Sequence, residues 1–308
     1  MTIREALSHG ASVLSGTGSE TPYLDASLLL ARALGCDRSV LLARNPDVLS
    51  LEAEPVFLSL LLRRAEGESI AYILGKKEFF GRTFRVDSRV LVPRPETEIL
   101  VEAALETARR ILPLRRARTD PGASSGGRFV PVLRVHDAFT GSGCVGISLA
   151  AELPNAEVSL SDLSPGAREL AAWNAREILG RDLPVLESDV LAGAPGTYDL
   201  ITANPPYVAS ARTDQLKGGG GERGSDGILK EPRIALDGGT DGLAFYRRLV
   251  PEAEKVLAPG GGLVIEIGED QAGAVKALFS SGGFLEVEVI RDLGCRDRVV
   301  RGLRHEGN

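Results

Sequence analysis

The chain has 308 residues, of which 43% are hydrophobic and 25% charged, and its formal net charge is −6. This composition is typical of a globular protein, and the length allows one large domain and one small one. The chain has no run of about 18 apolar residues, which excludes a membrane span, and its first residues, MTIREALSHG, lack the apolar core of a signal peptide, so we expect a cytoplasmic protein.

The charge balance and the scattered cysteines and histidines restrict the kind of partner and site. Nucleic-acid binding depends largely on Lys and Arg, so a mildly acidic chain favours a protein or small-molecule substrate, and we expect no stable nucleic-acid binding. There is no CxxC pair, which argues against a disulfide framework and a zinc site. We therefore predict no metal. The residues concerned are Cys36, Cys144, Cys295, His9, His136 and His305.

Residues 1–75 are predicted to form a small helical domain that recognises a substrate. Thr21 is a suitable N-cap before Pro22, and Gly35 is a suitable stop. A second helix is predicted within residues 50–66. A β-hairpin over 76–92, rich in aromatic and β-branched residues, is predicted to link this domain to the remainder of the chain, 93–308.

The segment after the hairpin begins with a stiff turn over 93–98, followed by a helix over 98–112. Residues 113–130 are rich in Arg, Gly, Ser and Pro, and this composition favours a flexible surface loop over a site for RNA or an acidic partner. The run Gly218–Gly221 is a second segment that is difficult to place.

Strands and helices then alternate along the chain. The predicted strands are 133–139, 156–160, 198–203, 262–267, 284–291 and 298–303. Helices are predicted over 145–152, after the Ser164 cap with Pro165, and over 243–257 with a bend at Pro251. Repeated βα units that end in a hairpin indicate an α/β fold with an open, mostly parallel sheet, a C-terminal antiparallel hairpin, and ligands at the carboxyl ends of the strands.

A glycine-rich turn follows the first of these strands. In Phe139-Thr140-Gly141-Ser142-Gly143 the glycines let the backbone approach a ligand, and the helix that follows presents free N–H groups. Asp162, about 20 residues after the glycine turn, can accept hydrogen bonds from both hydroxyls of a ribose. Asp189 can accept from an adenine amino group, although a solvated acid is the simpler interpretation, and Val190 offers an apolar wall. The glycine turn together with Asp162 predicts an adenosine-containing cofactor, which could be NAD or S-adenosylmethionine.

The most specific motif is Asn204-Pro205-Pro206-Tyr207, after the strand 198–203. The two prolines fix the backbone and remove two N–H donors, so carbonyl acceptors point in set directions. The Asn204 side chain adds another acceptor, and Tyr207 supplies a flat face for stacking. The motif therefore predicts a clamp for a planar amide or for the exocyclic amine of a base, and hydride transfer has no obvious use for it.

Together with the glycine turn, Asn-Pro-Pro-Tyr resembles the amino-methyltransferase branch of the Rossmann-like class I methyltransferases. Further blocks resemble the PrmC (HemK) group, and the resemblance covers about residues 20 to 303. The most selective block is Pro93-Arg94-Pro95-Glu96-Thr97-Glu98. The others are Arg63-Arg64, Glu68, Ala71–Gly75, Glu78–Gly81, Glu231-Pro232, Ala235-Leu236, Gly238–Leu243 and Tyr246-Arg247.

This resemblance implies an enzyme that transfers a methyl group from S-adenosylmethionine to N5 of the glutamine in the Gly-Gly-Gln motif of class I peptide chain release factors. By the same resemblance, Phe139–Gly143, Asp162, Val190 and Asn204 hold the cofactor. Asn204 through Tyr207 hold the glutamine amide, with Asn204, Pro205 and Tyr207 as catalytic residues. Phe139 stands where many relatives have Gly, so we expect a backbone conformation there that is open to a side chain.

Three alternatives remain open at this point. An N6-adenine methyltransferase acting on DNA or RNA would use the same clamp, but the net charge and the Pro-Arg-Pro-Glu-Thr-Glu block disfavour it. A binding module that kept the cofactor pocket without turnover is a second alternative, and an NAD oxidoreductase is a third. The sequence does not reveal the oligomeric state or which release factors are used.

Overall fold

The structure, a computed structural model, describes residues 1–43, 46–119, 132–217 and 230–305. The helices are α1 (Ile3–Ser15), α2 (Pro22–Leu34), α3 (Arg38–Ala43), α4 (Ala53–Ala65), α5 (Ile70–Leu74), α6 (Glu98–Thr119), α7 (Cys144–Glu152), α8 (Pro165–Leu179), α9 (Ser210–Lys217), α10 (Ala244–Val256) and α11 (Ala272–Ser281). Short 3₁₀ turns cover Pro95–Thr97 and Arg233–Ala235. The strands are β1 (Lys76–Phe79), β2 (Arg82–Arg85), β3 (Arg134–Ala138), β4 (Glu157–Asp162), β5 (Val185–Glu187), β6 (Tyr198–Ala203), β7 (Leu257–Glu266), β8 (Phe284–Arg291) and β9 (Asp297–Arg304).

The chain folds into two compact units, and the first comprises Met1–Lys76, Val86–Ser88 and Ala211–Pro232. Its N-terminal part is a helical bundle with an apolar core in which Leu7, Leu29 and Phe57 are fully buried. A buried ion pair ties α4 to α2, because Arg64 donates to the Asp25 carboxylate at 2.8 Å.

Helix α2 begins and ends where the sequence predicted, at Pro22 and before Gly35, which adopts the left-handed conformation. Thr21 occupies the N-cap position, but its side chain makes no cap hydrogen bond. Its hydroxyl donates instead to the Asp25 carboxylate at 3.1 Å. The Thr21 hydroxyl therefore hydrogen-bonds to the Asp25 carboxylate, the partner of Arg64, and does not cap the helix backbone.

The second unit comprises Lys77–Arg85, Arg89–Ser210 and Arg233–Asn308, and contains a seven-stranded sheet in the order β5-β4-β3-β6-β7-β9-β8. Strands β5, β4, β3, β6 and β7 are parallel, and β9 runs antiparallel to both β7 and β8. One apolar cluster packs α6, α7 and α8 against the sheet, and a second packs α10 and α11. The predicted α/β sheet with a C-terminal antiparallel hairpin is confirmed.

Two boundaries that the sequence predicted are wrong. The hairpin ends at Arg85 and a turn near Ser88 follows it, so the buried valines Val86, Val90 and Val92 lie beyond the last residue of β2. Helix α6 continues through Pro113 to Thr119, where we expected a loop from residue 113. A proline removes one helical hydrogen bond, and the Leu, Arg and Ala that follow it are good helix formers. The rest of the predicted loop, from residue 120, and the run Gly218–Gly221 lie outside the described residues.

His136 lies at the centre of the sheet, on β3, and is fully buried. Its two ring nitrogens lie 2.9 Å from the hydroxyls of Ser159 and Ser161 on β4, and its ring stacks on Tyr198 with centroids 4.7 Å apart. Burial lowers the pKa of His136 from 6.5 to about 4, because the apolar surroundings disfavour the charged imidazolium. The native sheet thus requires a neutral histidine.

This requirement predicts a pH-dependent loss of stability. As the pH falls from about 6.5 to about 4, the unfolded chain binds a proton at this histidine and the folded chain does not, so the free energy of unfolding decreases. At ~1.4 kcal/mol per pKa unit the loss amounts to about 3 kcal/mol. Urea unfolding of wild type and His136→Gln at several pH values, followed through Trp173, the only tryptophan, should show the wild type losing that amount relative to the variant. A difference that stays constant with pH would contradict a buried neutral imidazole.

Candidate active site

A cavity opens at the carboxyl edge of β3, β4, β5 and β6 within the second unit, and it encloses about 980 Å³ including the space open to solvent. The chain passes from β3 to β4 on one side and later returns to β6 on the other side of β3. In open α/β sheets a ligand binds at such a switch point, where neighbouring connections leave in opposite directions. The fold therefore places the cavity where the sequence predicted a ligand site.

The glycine turn after β3 forms one wall of this cavity, and Phe139 through Ser142 line it. Gly143 precedes α7 with φ of 84°, and an added Cβ there would lie 2.5 Å from Ile147. Phe139 has φ of 56°, so the expectation of a backbone open to a side chain is wrong. This left-handed conformation costs a non-glycine residue about 1–2 kcal/mol. The Phe139 ring packs edge-on against Phe245 at 5.4 Å, and this contact offsets part of that cost.

Asp137, the fourth residue of β3, holds the turn in place from below. Its carboxylate is 1% exposed and accepts hydrogen bonds from the hydroxyls of Thr140 at 2.6 Å and Thr202 at 2.8 Å. It also accepts from the backbone N–H of Gly146 in α7 at 3.1 Å. Burial raises the pKa of Asp137 to about 6, and these hydrogen bonds act in the opposite direction. One carboxyl thereby joins β3, the glycine turn, α7 and β6.

Asp162 lies at the end of β4 and lines the cavity. Its carboxylate accepts from the backbone N–H groups of Gly141 and Ser164, both at 2.9 Å, which fixes its orientation. Burial raises the pKa of Asp162, and the two backbone hydrogen bonds lower it. Each oxygen retains lone-pair capacity, so the carboxylate can accept further hydrogen bonds from a ligand.

Ser142 contributes a second polar group to the cavity wall. Its side chain is 1% exposed, and its hydroxyl lies near the Cys144 thiol, a weak partner, with no stronger hydrogen-bond partner within the described residues. An unsatisfied buried hydroxyl costs free energy unless a ligand or water completes its hydrogen bonds. Ser142 and Asp162 therefore give the cavity both a donor and an acceptor for a polar ligand.

The segment after β5 brings Asp189 and Val190 to the same cavity. Val190 is 3% exposed and adopts a left-handed backbone with φ of 59°. Asp189 is exposed and pairs with Arg248 at 2.9 Å. Val190 is therefore part of an apolar wall, whereas Asp189 is a solvated, paired acid at the rim.

The Asn204–Tyr207 turn follows β6 and faces the cavity with part of its length. Asn204 and Pro206 line the cavity, whereas Pro205 and Tyr207 lie outside the described lining. The Asn204 side-chain NH2 donates to the Thr97 hydroxyl at 3.4 Å, which leaves the Asn204 side-chain oxygen able to accept. The Tyr207 hydroxyl donates to the Glu266 carboxyl at 3.3 Å, and its ring packs against the second apolar cluster.

Backbone contacts support this turn from behind. An added Cβ at Gly238 would lie 2.7 Å from the Pro206 carbonyl oxygen, so only glycine fits there without displacing the turn. The backbone N–H of Gly238 donates to the Val208 carbonyl at 2.7 Å. The side-chain NH2 of Gln271 donates to the Tyr207 carbonyl at 3.0 Å. The Gly-Gly-Thr-Asp-Gly block that the sequence singled out thus packs directly against the turn.

Several residues that line the cavity or lie beneath it were not predicted as site residues. The segment between β2 and α6 contributes Arg89, Val90, Leu91, Pro93, Arg94 and Thr97, and other walls contain Ile234, Ala235 and Phe245. Glu266, at the end of β7, lies under the turn and is 1% exposed. The Pro93–Glu98 block is the most selective part of the resemblance to the PrmC group, and this could have indicated Arg94 and Thr97 as site residues.

Metal-binding clusters and membrane-spanning helices are absent from the part of the chain that the structure describes. No group of three or more His, Cys, Asp or Glu side chains there is arranged to hold a metal ion. No helix in those residues combines the length and apolar character needed to cross a membrane.

Comparison with known proteins adds independent findings. The family model of the PrmC N-terminal domain matches residues 5–75, and that of the methyltransferase small domain matches residues 131–218. A solved structure of the hMettl16 catalytic domain in complex with MAT2A 3'UTR hairpin 6 superposes with a TM-score of 0.53 at 14% identity, over 81% of this chain and 82% of that one. At this identity the likeness shows a shared fold.

Curated relatives named release factor glutamine methyltransferase match over nearly the full length. The protein from Moorella thermoacetica is 38% identical over 99% of this chain and 100% of its own length. The protein from Geobacter sulfurreducens is 39% identical over 98% and 96%, respectively. The cavity at the switch point, the Asn-Pro-Pro-Tyr turn beside it and this full-length similarity agree, and the chain belongs to the release factor glutamine methyltransferase family.

Proposed function

We propose that this chain transfers a methyl group from S-adenosylmethionine to the side-chain amide nitrogen, N5, of the glutamine in the Gly-Gly-Gln motif of class I peptide chain release factors, and that it acts in the cytoplasm. The observation that carries this proposal is the position of Asn204, whose side-chain oxygen can accept a hydrogen bond, on the wall of the same cavity as Asp162. The names of the relatives favour a protein amide over the adenine amine.

The cavity fits the cofactor in its donor and acceptor groups. We assign the ribose hydroxyls to the Asp162 carboxylate, whose orientation the Gly141 and Ser164 N–H groups fix. The buried Ser142 hydroxyl can complete its hydrogen bonds with a polar group of the same ligand. Phe139 and Val190 supply apolar surface for the adenine ring. Asp189, paired with Arg248, is the weakest of the predicted contacts.

The residues of this chain act mainly by positioning the substrate amide. When bound, S-adenosylmethionine supplies an electrophilic methyl group on a positively charged sulfur. An amide nitrogen is a poor nucleophile, because its lone pair is delocalised into the carbonyl. We assign the amide N–H bonds to the side-chain oxygen of Asn204, which lines the cavity, and to the Pro205 carbonyl of the same turn, so that the nitrogen is held in one orientation; the Tyr207 ring packs against the second apolar cluster. Such positioning can supply up to ~7–11 kcal/mol.

The amide proton needs no dedicated base on this chain. The nitrogen becomes strongly acidic as it gains the methyl group, and water can then accept its proton. We therefore assign no catalytic role to histidine or cysteine.

Residues 1–75 are proposed to recognise the release factor itself. A single glutamine has too few atoms to give high affinity and specificity, so further contacts are needed. This helical segment exposes large apolar side chains, including Leu51 at 91% and Leu62 at 60%, and these support a protein-binding role.

Mass spectrometry of a purified release factor, incubated with this chain and S-adenosylmethionine, tests the proposal. We expect one added methyl group on the Gly-Gly-Gln glutamine and none on a release factor in which that glutamine is replaced by alanine. Parallel reactions with tritium-labelled cofactor and DNA or RNA should give no incorporation. Label in nucleic acid, with none in the release factor, would replace this proposal by an adenine methyltransferase.

Replacement of Asp162 tests the cofactor assignment. Asp162→Asn should weaken binding of S-adenosylmethionine at least about tenfold, because a hydrogen bond to a charged group is worth ~1.5–3 kcal/mol. Isothermal titration calorimetry measures the change. Glu157→Gln, at the exposed opposite end of β4, is the matched control and should bind like wild type. An Asp162→Asn variant with affinity within about threefold of wild type would remove Asp162 from the cofactor site.

Replacement of Asn204 tests the amide clamp. Asn204→Ala should lower kcat by about tenfold or more, because loss of a transition-state contact of ~1.4 kcal/mol has that effect. Cofactor affinity, measured separately, should change much less than kcat. Asn155→Ala, in the exposed turn between α7 and β4, is the control and should retain full activity. A smaller loss at Asn204 would count against the clamp.

A further inference from the structure

Glu266 is a buried acid beneath the Asn204–Tyr207 turn, and it does not line the cavity described above. Strands β6 and β7 are parallel neighbours, with Ala203 level with Ile265. Asn204 is the first residue after β6 and Glu266 is the last residue of β7, so they lie side by side at the carboxyl edge of the sheet. This register brings the acid to the base of the turn, although 62 residues of sequence separate the two positions.

Both ends of the turn connect to this one carboxyl. At the far end the Tyr207 hydroxyl donates to Glu266 Oε1 at 3.3 Å. At the near end the Asn204 side chain donates to the Thr97 hydroxyl at 3.4 Å, and Thr97 lies close enough to the Glu266 carboxyl to lower its pKa. Thr97 belongs to the Pro93–Glu98 block, the most selective part of the resemblance to the PrmC group, and the proposed function assigns this block no role.

The second oxygen of Glu266, Oε2, is buried and has no hydrogen-bond partner among the described residues. A buried acid with an unsatisfied oxygen destabilises a fold. The Tyr246 hydroxyl donates to the backbone carbonyl of Glu266 at 3.1 Å, so this contact does not depend on the side chain. The carboxyl therefore has a use other than stability.

We propose that Glu266 is a positioning residue that fixes the amide-binding turn Asn204–Tyr207 through the Tyr207 hydroxyl at one end and through Thr97 at the other. The inference deepens the proposed function and rests on it, because it concerns how the same turn is held for the substrate amide. Glu266 does not itself contact the reacting atoms; it acts through the Asn204–Tyr207 turn, which holds the amide.

The surroundings of Glu266 indicate which replacement preserves this role. Burial raises the pKa of Glu266 to about 7, and the hydrogen bonds from Thr97 and Tyr207 and the charge of Arg298 act in the opposite direction, while Glu96 raises the pKa further. Glutamine has nearly the same shape and keeps a carbonyl acceptor for the Tyr207 hydroxyl, so it mimics the neutral acid. Methionine fills the space with no such acceptor.

The test compares Glu266→Met with Glu266→Gln in the full chain. We expect Glu266→Met to remain folded, as urea unfolding can verify, yet to lose at least about tenfold in kcat, with KM and cofactor affinity within about threefold. Glu266→Gln should keep kcat within about threefold. Asp199→Asn, a buried acid at the opposite end of β6 that accepts from the Arg134 N–H, is the control and should keep kcat unchanged.

A fluorine NMR spectrum reports on the turn without methyl transfer. The chain has five tyrosines, so labelling with 3-fluorotyrosine gives few resonances, and the Tyr207→Phe variant assigns the one of interest. The Tyr207 resonance should move in Glu266→Met and stay in place in Glu266→Gln.

The outcomes separate this inference from the proposed function. If Glu266→Met keeps kcat within about threefold, or Glu266→Gln loses as much as Glu266→Met, or the Tyr207 resonance does not move in Glu266→Met, the positioning role is overturned. If wild type does not methylate release factor but the Tyr207 resonance behaves as expected, the substrate assignment fails and the structural link between Glu266 and the turn stands.

Discussion

The arrangement of the site depends on one buried carboxyl, Asp137, at the switch point of the sheet. Its hydrogen bonds from Thr140, Thr202 and Gly146 join the glycine turn, β6 and α7 to β3. Each of these elements presents a different part of the cavity, so their relative positions within the second unit are set by a single group. Because the carboxyl is out of water, a lost partner would leave it unsatisfied, and this raises the cost of any other arrangement.

The sequence predicted the elements whose ends have a local chemical cause. Helix α8 starts at Pro165 after the Ser164 cap, whose hydroxyl accepts from the Ala167 N–H, and β6 spans residues 198–203 as the apolar pattern indicated. The prediction failed where the local signal was ambiguous. Pro113 marks a stop in most helices but lies inside α6, and the valines after Arg85 have strand-forming character but lie beyond the end of β2.

For the site, the sequence predicted the residues that face the ligand better than those that support them. Asn204, Asp162 and the glycine turn could be found because short motifs carry their chemistry. Glu266 and Gln271 contact the turn only through the fold, across about 60 residues of sequence, and neither lies in a motif that indicates a partner. The left-handed backbone at Phe139 was missed for a related reason: a packing contact with Phe245, over 100 residues later, is what makes it tolerable.

The contact between Gly238 and the Asn204–Tyr207 turn has a consequence for how sequences of this kind can diverge. Main-chain atoms of Gly238 pack against main-chain atoms of Pro206 and Tyr207, and the Gly238 N–H donates to the Val208 carbonyl. Replacements of nearby side chains can change the volume or the charge of the cavity and leave this main-chain contact intact. The side chains that form the cavity walls can therefore change during evolution, or be redesigned for another substrate, while the main-chain contact keeps the conformation of the turn.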